Sequence, residues 1–201
     1  MGGRKETRRG LRRTGGRRLA RWALAVCVAF AFPNLELGQT LPLEYQMKAA
    51  YLGKIPRFVE WPASESKDRK TAFQFCTMGD YRFGTKLASE IQIATVGGRK
   101  IELRWTHNEQ ELEGCELIFF SRSETARYVK LLEALNGKSV LTIGETKGFL
   151  EAGGIMEFSF ENDKLQIDVN LVAARKANLK MDARLLALAK RVVTEHGAPG
   201  G

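Results

Sequence analysis

Residues Val140 to Lys180 read VLTIGETKGFLEAGGIMEFSFENDKLQIDVNLVAARKANLK, and this stretch decides the fold. It opens with an apolar run, Val140 to Ile143, of the length and character of a buried strand. Gly148, Gly153 and Gly154 punctuate the link that follows, where the chain must turn or approach another backbone closely. Two alternating runs come next. Met156, Phe158 and Phe160 share one face, with Glu157, Ser159 and Glu161 on the other. Leu165, Ile167 and Val169 then alternate with Gln166, Asp168 and Asn170. Period-two alternation predicts two strands, each with one face buried, and Asn162-Asp163 between them predicts a tight turn. On this alternation Glu157 and Glu161 face solvent.

Working outward, the N-terminal side supplies alternating helices and strands. Leu43, Met47, Ala50, Tyr51, Ile55 and Phe58 follow helical spacing, with Glu44, Lys48, Arg57 and Glu60 on the opposite, solvated face. Gly53 and Pro56 predict a break near Gly53, because proline removes a helix hydrogen bond and clashes with the preceding turn. Trp61-Pro62 ends that element, and Ser64 to Lys70 reads as a polar loop. Strands are expected at Phe73–Met78, Lys100–Trp105 and Leu117–Phe120, and helices at Thr85–Ile91, around Asn108–Leu112 and after Ser121. Tyr128, Val129, Leu132 and Leu135 mark the buried face of the last of these, which Asn136-Gly137 ends. A final helix burying Met181, Leu185, Leu188, Ala189 and Val192 is expected near the C-terminus. Strands that alternate with helices predict a mostly parallel sheet, and the hairpin makes it mixed. The expected fold is therefore a single α/β domain with helices on both faces and a C-terminal antiparallel hairpin.

The chain has 201 residues, 44% hydrophobic and 27% charged, which suits one core. Its formal net charge is +9, but Met1–Arg21 alone holds +8, leaving +1 for the rest. The basicity is thus a feature of the N-terminus and not a nucleic-acid footprint. That basic segment runs into WALAVCVAFAF, Trp22 to Phe32, in the manner of a secretory signal peptide. Ala29-Phe30-Ala31 supplies a small-x-small cleavage site, so residues 1–31 are assigned as signal peptide and 32–42 as linker. Residues 43–193 form the domain, and 194–201 a flexible tail. Cys27 leaves with the signal. Cys76 and Cys115 remain, and two cysteines in an exported domain are expected to pair. Two buried free thiols in neighbouring strands are the alternative.

No spacing in the chain marks a catalytic or metal site. His107 reads as a solvated loop residue and His196 lies in the tail, and no His, Cys or carboxylate group has ligand spacing. No cofactor is expected. Ser121 ends a buried strand and invites a hydrolase reading, but its spacing to Glu124 is that of a capping box. Residues 79–86, GDYRFGTK, miss the phosphate-loop pattern because Thr85 separates the second glycine from Lys86. What survives there is a glycine loop entering a helix, whose N–H groups suit an anion. Large apolar groups beside turn glycines or prolines, Trp61, Phe83, Phe149 and Leu150, are the candidates for a partner-binding surface.

Three ordered blocks resemble the YfiR/HmsC-like family of exported bacterial regulatory proteins. They are EYQMKAAYLGKIPRFVEWP (Glu44 to Pro62), FCTMGDYRFG (within Phe73 to Gly84) with GCELIFFSRSE (Gly114 to Glu124), and the stretch quoted at the outset with the following MDARLL. The resemblance spans roughly Leu43 to Val193. It implies a periplasmic, non-enzymatic protein that restrains an inner-membrane signalling protein, above all a diguanylate cyclase, and so acts on cyclic-di-GMP and biofilm. It implies cysteines in the two blocks that hold Cys76 and Cys115, whereas a second pair that some relatives carry near Gly144–Gly154 is missing here. A sensor kinase is the other partner class, and a second copy of the chain a further one. A small-ligand module using the crevice at the strand ends, or a hydrolase using Ser121, are the competing functions.

Overall fold

The computed structural model describes residues 41–62 and 71–195. The assigned signal peptide, nearly all of the linker, the loop at residues 64–70 and His196 lie outside them.

The central element is an eight-stranded sheet in the order β10-β8-β7-β6-β5-β2-β4-β3. Its strands are β2 (Phe73–Met78), β3 (Thr95–Val96), β4 (Arg99–Thr106), β5 (Leu117–Phe120), β6 (Leu141–Gly144), β7 (Met156–Glu161), β8 (Lys164–Asn170) and β10 (Arg191–Val193). Neighbours from β4 through β2, β5 and β6 to β7 run parallel. The pairs β7–β8 and β3–β4 are antiparallel, and β10 joins β8 in parallel. A separate two-stranded ribbon joins β1 (Val59–Glu60) to β9 (Lys180–Met181). The mixed, mostly parallel sheet expected from the sequence is the one observed.

Alternation along the central strands feeds two cores. Phe73, Phe75, Leu117, Phe119, Leu141 and Ile143 pack on one face with Ala49 and Leu52 of α1 (Leu43–Leu52) and Leu87 and Ile91 of α2 (Lys86–Gln92). Cys76, Met78, Ile118 and Phe120 pack on the other with Leu131 and Leu132 of α3 (Tyr128–Ala134). Helices thus cover both faces, as a parallel sheet with near-continuous apolar strands requires. Two short helices, α4 (Leu171–Lys176) and α5 (Ala183–Leu186), complete the C-terminal part. The β7–β8 turn places Asn162 and Asp163 at φ 51° and 57°, the left-handed pair that a two-residue hairpin needs.

Several local expectations fail for identifiable reasons. The break at Gly53 is present, and Ile55–Phe58 continue as a 3₁₀ turn. The phase of α1 is different, however: Tyr45, Lys48, Ala49 and Leu52 face inward, while Leu43 is half exposed. Val129 is exposed and Leu131 takes its place in the core of α3. The expected final helix is only α5. Met181 instead pairs with Val59 and Val192 with Val169, while Leu188 is exposed. Strand partners distant in sequence override a spacing that looked helical. The Ser121–Glu124 capping box does not form, since Ser121 makes no side-chain cap and residues Arg122–Ala126 run as a 3₁₀ turn. Glu157 is buried, not solvated, and accepts the N–H groups of Gly148 (3.1 Å) and Leu150 (3.3 Å), tying down the glycine-rich link.

Candidate functional site

In a parallel sheet, the place where consecutive connections leave in opposite directions opens a crevice beyond the carboxyl ends of the strands. Here β4 lies on one side of β2 and β5 on the other, so the crevice falls after Met78 and Phe120. The backbone closes it from below, since the N–H of Ser121 donates to the carbonyl of Met78 at 3.0 Å. Gly79 sits at φ +89°, and a Cβ there would fall 2.3 Å from Ser123 Oγ and 2.5 Å from Ser121 Oγ. Only glycine lets these side chains fold over the strand end.

Most polar groups of this edge are bound to one another, the buried Tyr81 hydroxyl being an exception with no hydrogen-bond partner among the described residues. The hydroxyls of Ser121 and Ser123 share a hydrogen bond of 2.7 Å, and the N–H of Asp80 donates to Ser123 Oγ at 2.9 Å. Glu124 is buried and pairs with Arg127, which also donates to the carbonyl of His107 at 2.7 Å. The pairing holds the Arg127 guanidinium pKa above its ordinary value, the hydrogen bond to Glu124 being the main cause. Ser121 has another hydroxyl, not a base, as its partner, so its geometry is not that of an activated nucleophile. The anion reading of the loop from Gly79 to Gly84 also weakens, because Asp80's N–H is already engaged.

One strand further along lies a second cluster that the sequence did not reveal. Glu145, just past β6, is buried and pairs with Lys48, which is also buried and pairs with Glu44 as well. The Tyr45 hydroxyl donates to Glu145 at 3.3 Å, and the N–H of Arg122 donates to the same carboxylate at 2.8 Å. Arg122 Nη2 closes the ring on Glu44 at 3.1 Å. Two cations face two carboxylates, so the cluster is neutral by count. Burial pushes the Tyr45 phenol up to about 12, with the Glu145 and Glu44 charges adding to it. At Glu44 burial acts upward, but Lys48 and Arg122 together outweigh it and hold the carboxyl below its ordinary range. This arrangement fixes α1 against the carboxyl edge of the sheet.

Of the four residues expected at a partner surface, Phe83, Phe149 and Leu150 are buried and Trp61 is partly exposed. Phe83 is buried against Tyr45 and Phe119, with ring centres 5.4 and 5.3 Å away. Phe149 is buried between Phe120 and Tyr128, and Leu150 is buried beside it. Their turn positions misled, because the glycines around Phe149 serve to admit its ring: a Cβ on Gly144 would come within 2.4 Å of it. Trp61 is partly buried at the opposite, amino edge, where its indole N–H donates to the carbonyl of Glu116 at 3.3 Å. Cys76 and Cys115 are bonded, with Cα atoms 5.9 Å apart, inside the core under α3. Among the described residues no group of His, Cys, Asp and Glu is placed to hold a metal.

These features define a single mixed α/β domain, its sheet covered on both faces and an internal disulfide in one of its two cores. The profile of the YfiR/HmsC-like family matches residues 45–190, and the chain belongs to that family. The family is regulatory and non-enzymatic, and the disulfide fits an exported protein. No curated protein matches the chain. Among solved structures, a conserved domain protein from Vibrio cholerae O1 biovar eltor is similar at TM-score 0.52 and 11% identity, over 74% of this chain and 60% of that one. The ABC domain in complex with L-Trp from Streptococcus pneumonia has TM-score 0.49 at 8% identity, over 75% of this chain and 60% of that one. The chain thus spans 60% of the length of each. The likeness to the Vibrio protein is one of fold.

Proposed function

We propose that this protein is a periplasmic regulator that restrains an inner-membrane signalling protein, a diguanylate cyclase in the first instance, by stoichiometric binding to its periplasmic part. The observation that carries the reading is the carboxyl edge, where the serine hydroxyls and the buried charges are bound within the edge itself. There the position where such a sheet would take a ligand is filled by Ser121, Ser123, Glu124 and the Lys48–Glu145 pair. An edge whose charged groups and serine hydroxyls are already paired favours action through a surface over turnover of a bound molecule. Family membership supplies the regulatory class, and the basic-then-apolar N-terminus supplies the route out of the cytoplasm.

With Phe83, Phe149 and Leu150 inside the core, the contact surface has to be sought at exposed groups. Leu43 at the start of α1 is exposed, and Arg122 beyond β5 pairs with the next residue of that helix, Glu44. They supply one apolar and one cationic group for a partner to cover. The test is crosslinking from position 43 in envelope preparations of the native host, followed by mass spectrometry of the adduct. An inner-membrane signalling protein captured there, and lost on Arg122→Glu, supports the reading. Recovery of the protein in the cytoplasm with residues 1–31 still attached overturns it.

A further inference from the structure

We propose that the groove between the end of α3 and α4 binds a small carboxylate carrying a short apolar chain. The groove lies at the amino edge of the sheet, opposite the crevice described above. Strands β5 and β6 are parallel, so α3 between them carries the chain back to that edge. Strand β8 runs antiparallel to β7, so its last residue, Asn170, returns beside the chain entering β7. There its N–H donates to the carbonyl of Ile155 at 2.8 Å. Helix α4 therefore starts at the edge where α3 ends. Between them is a cavity of about 280 Å³, walled by Leu135, Val140, Ile155, Val172 and Ala177. That is close to the lower end of small-molecule sites, so the occupant is small.

The polar groups of the groove select the occupant, because they are donors with capacity to spare. Thr142 lines it and is buried. Its oxygen accepts the N–H of Ile155 at 3.1 Å, and its own proton has no acceptor among the described residues. Asn170 accepts from the N–H of Ala173 at 3.0 Å and gives one amide hydrogen to the carbonyl of Leu150 at 3.3 Å. Its second amide hydrogen is left over. Lys138 and Lys176 also line the groove; both are exposed, and neither has an ion pair among the described residues. Glu133 is the one carboxylate of the lining, so the ammonium groups outnumber it two to one. A buried donor without an acceptor is costly, and an anionic oxygen answers it more strongly than a neutral one. The same oxygens offset the two lysines, while the apolar walls take a hydrocarbon chain. A cationic ligand would meet only Glu133, and a neutral one would leave both lysines without a counter-charge. The carboxyl-edge crevice differs in this respect, since its charges are already paired.

Octanoate is the probe, titrated into the full chain. Calorimetry is expected to show a saturable site, and amide shifts in NMR are expected to centre on Gly137, Thr142 and Ala177. Octanol and octylammonium keep the chain and change the head group. Each is expected to bind about tenfold more weakly than octanoate, or weaker still. Lys138→Glu combined with Lys176→Glu is expected to weaken octanoate roughly tenfold. Both positions are exposed, so circular dichroism is expected to be unchanged. Val172→Trp, on the half-buried wall, fills the groove and gives a second variant expected to lose binding while folded. None of these readouts depends on an inner-membrane partner. No saturable octanoate binding, octanol bound as tightly as octanoate, or octanoate binding unchanged in the double lysine variant overturns the proposal.

Discussion

Lys48 and Glu145 are 97 residues apart in sequence, yet their side chains pair with exposures of only 1% and 0%. This contact joins the first helix to the carboxyl edge of the sheet. It also explains why the helix is turned away from its apolar stripe. Removing one member of a buried pair strands the other charge in a medium that solvates it poorly. Lys48→Met is therefore expected to cost about 3–5 kcal/mol in urea-monitored unfolding. Lys48→Met combined with Glu145→Leu is expected to recover a good part of that loss. Equal destabilisation in the single and double variants would contradict the pairing.

The Cys76–Cys115 bond closes a separation of 39 residues beneath α3. In the chain-entropy model such a loop is worth about 4 kcal/mol. Replacing both cysteines by alanine is expected to lower stability by up to that amount while keeping the fold. Both cysteines are buried, so dithiothreitol is expected to reduce the native protein slowly and the urea-unfolded protein at once. Comparable rates in the two states would show that the bond is reachable from solvent.

Gly144 lies against the Phe149 ring with no room for a Cβ. Gly144→Ala is expected to cost about 1–3 kcal/mol by overpacking. Phe149→Leu shortens the side chain that meets the new methyl. The double variant is then expected to be more stable than the two single effects added together, a coupling that a double-mutant cycle measures. Strict additivity would place the strain elsewhere.

Tyr45 gives the pH dependence. Its phenol is raised to about 12 from an ordinary 10.0, first by burial and then by the charges of Glu145 and Glu44. A raised value means that its contribution is fully present below pH 10 and is lost as the pH rises towards 12. Glu44 works at the other end. Its carboxyl is lowered, so its contribution is present above the ordinary carboxylate value and is lost as the pH falls through the lowered one. Ultraviolet titration is expected to show a late-ionising tyrosine whose step is lost from the curve in Tyr45→Phe. A titration unchanged by Tyr45→Phe would contradict the assignment.

The sheet was legible because its signals are local. The alternation at Met156–Phe160 and Leu165–Val169, the Asn162-Asp163 turn and the apolar run at Leu117–Phe120 each carry their meaning within a few residues. The polar interior was not. Lys48 and Glu157 read as solvated because a charge is normally outside. What buries them is Glu145 in one case and the N–H groups of Gly148 and Leu150 in the other. Met181 and Val192 fit a helix by spacing, and only Val59 and Val169, their distant strand partners, show otherwise. Phe149 looked exposed beside its glycines for the same reason. The glycines are there for the ring, which sequence spacing does not reveal.

The central claim, that this chain restrains an inner-membrane diguanylate cyclase, is tested most directly by cellular cyclic-di-GMP in the native host. The measurement compares a strain lacking the protein with one complemented by the wild type and one complemented by Arg122→Glu. The expected result is a rise in cyclic-di-GMP on deletion, reversed by the wild type and reversed poorly by the variant at equal abundance. Cyclic-di-GMP unchanged by deletion would contradict the account.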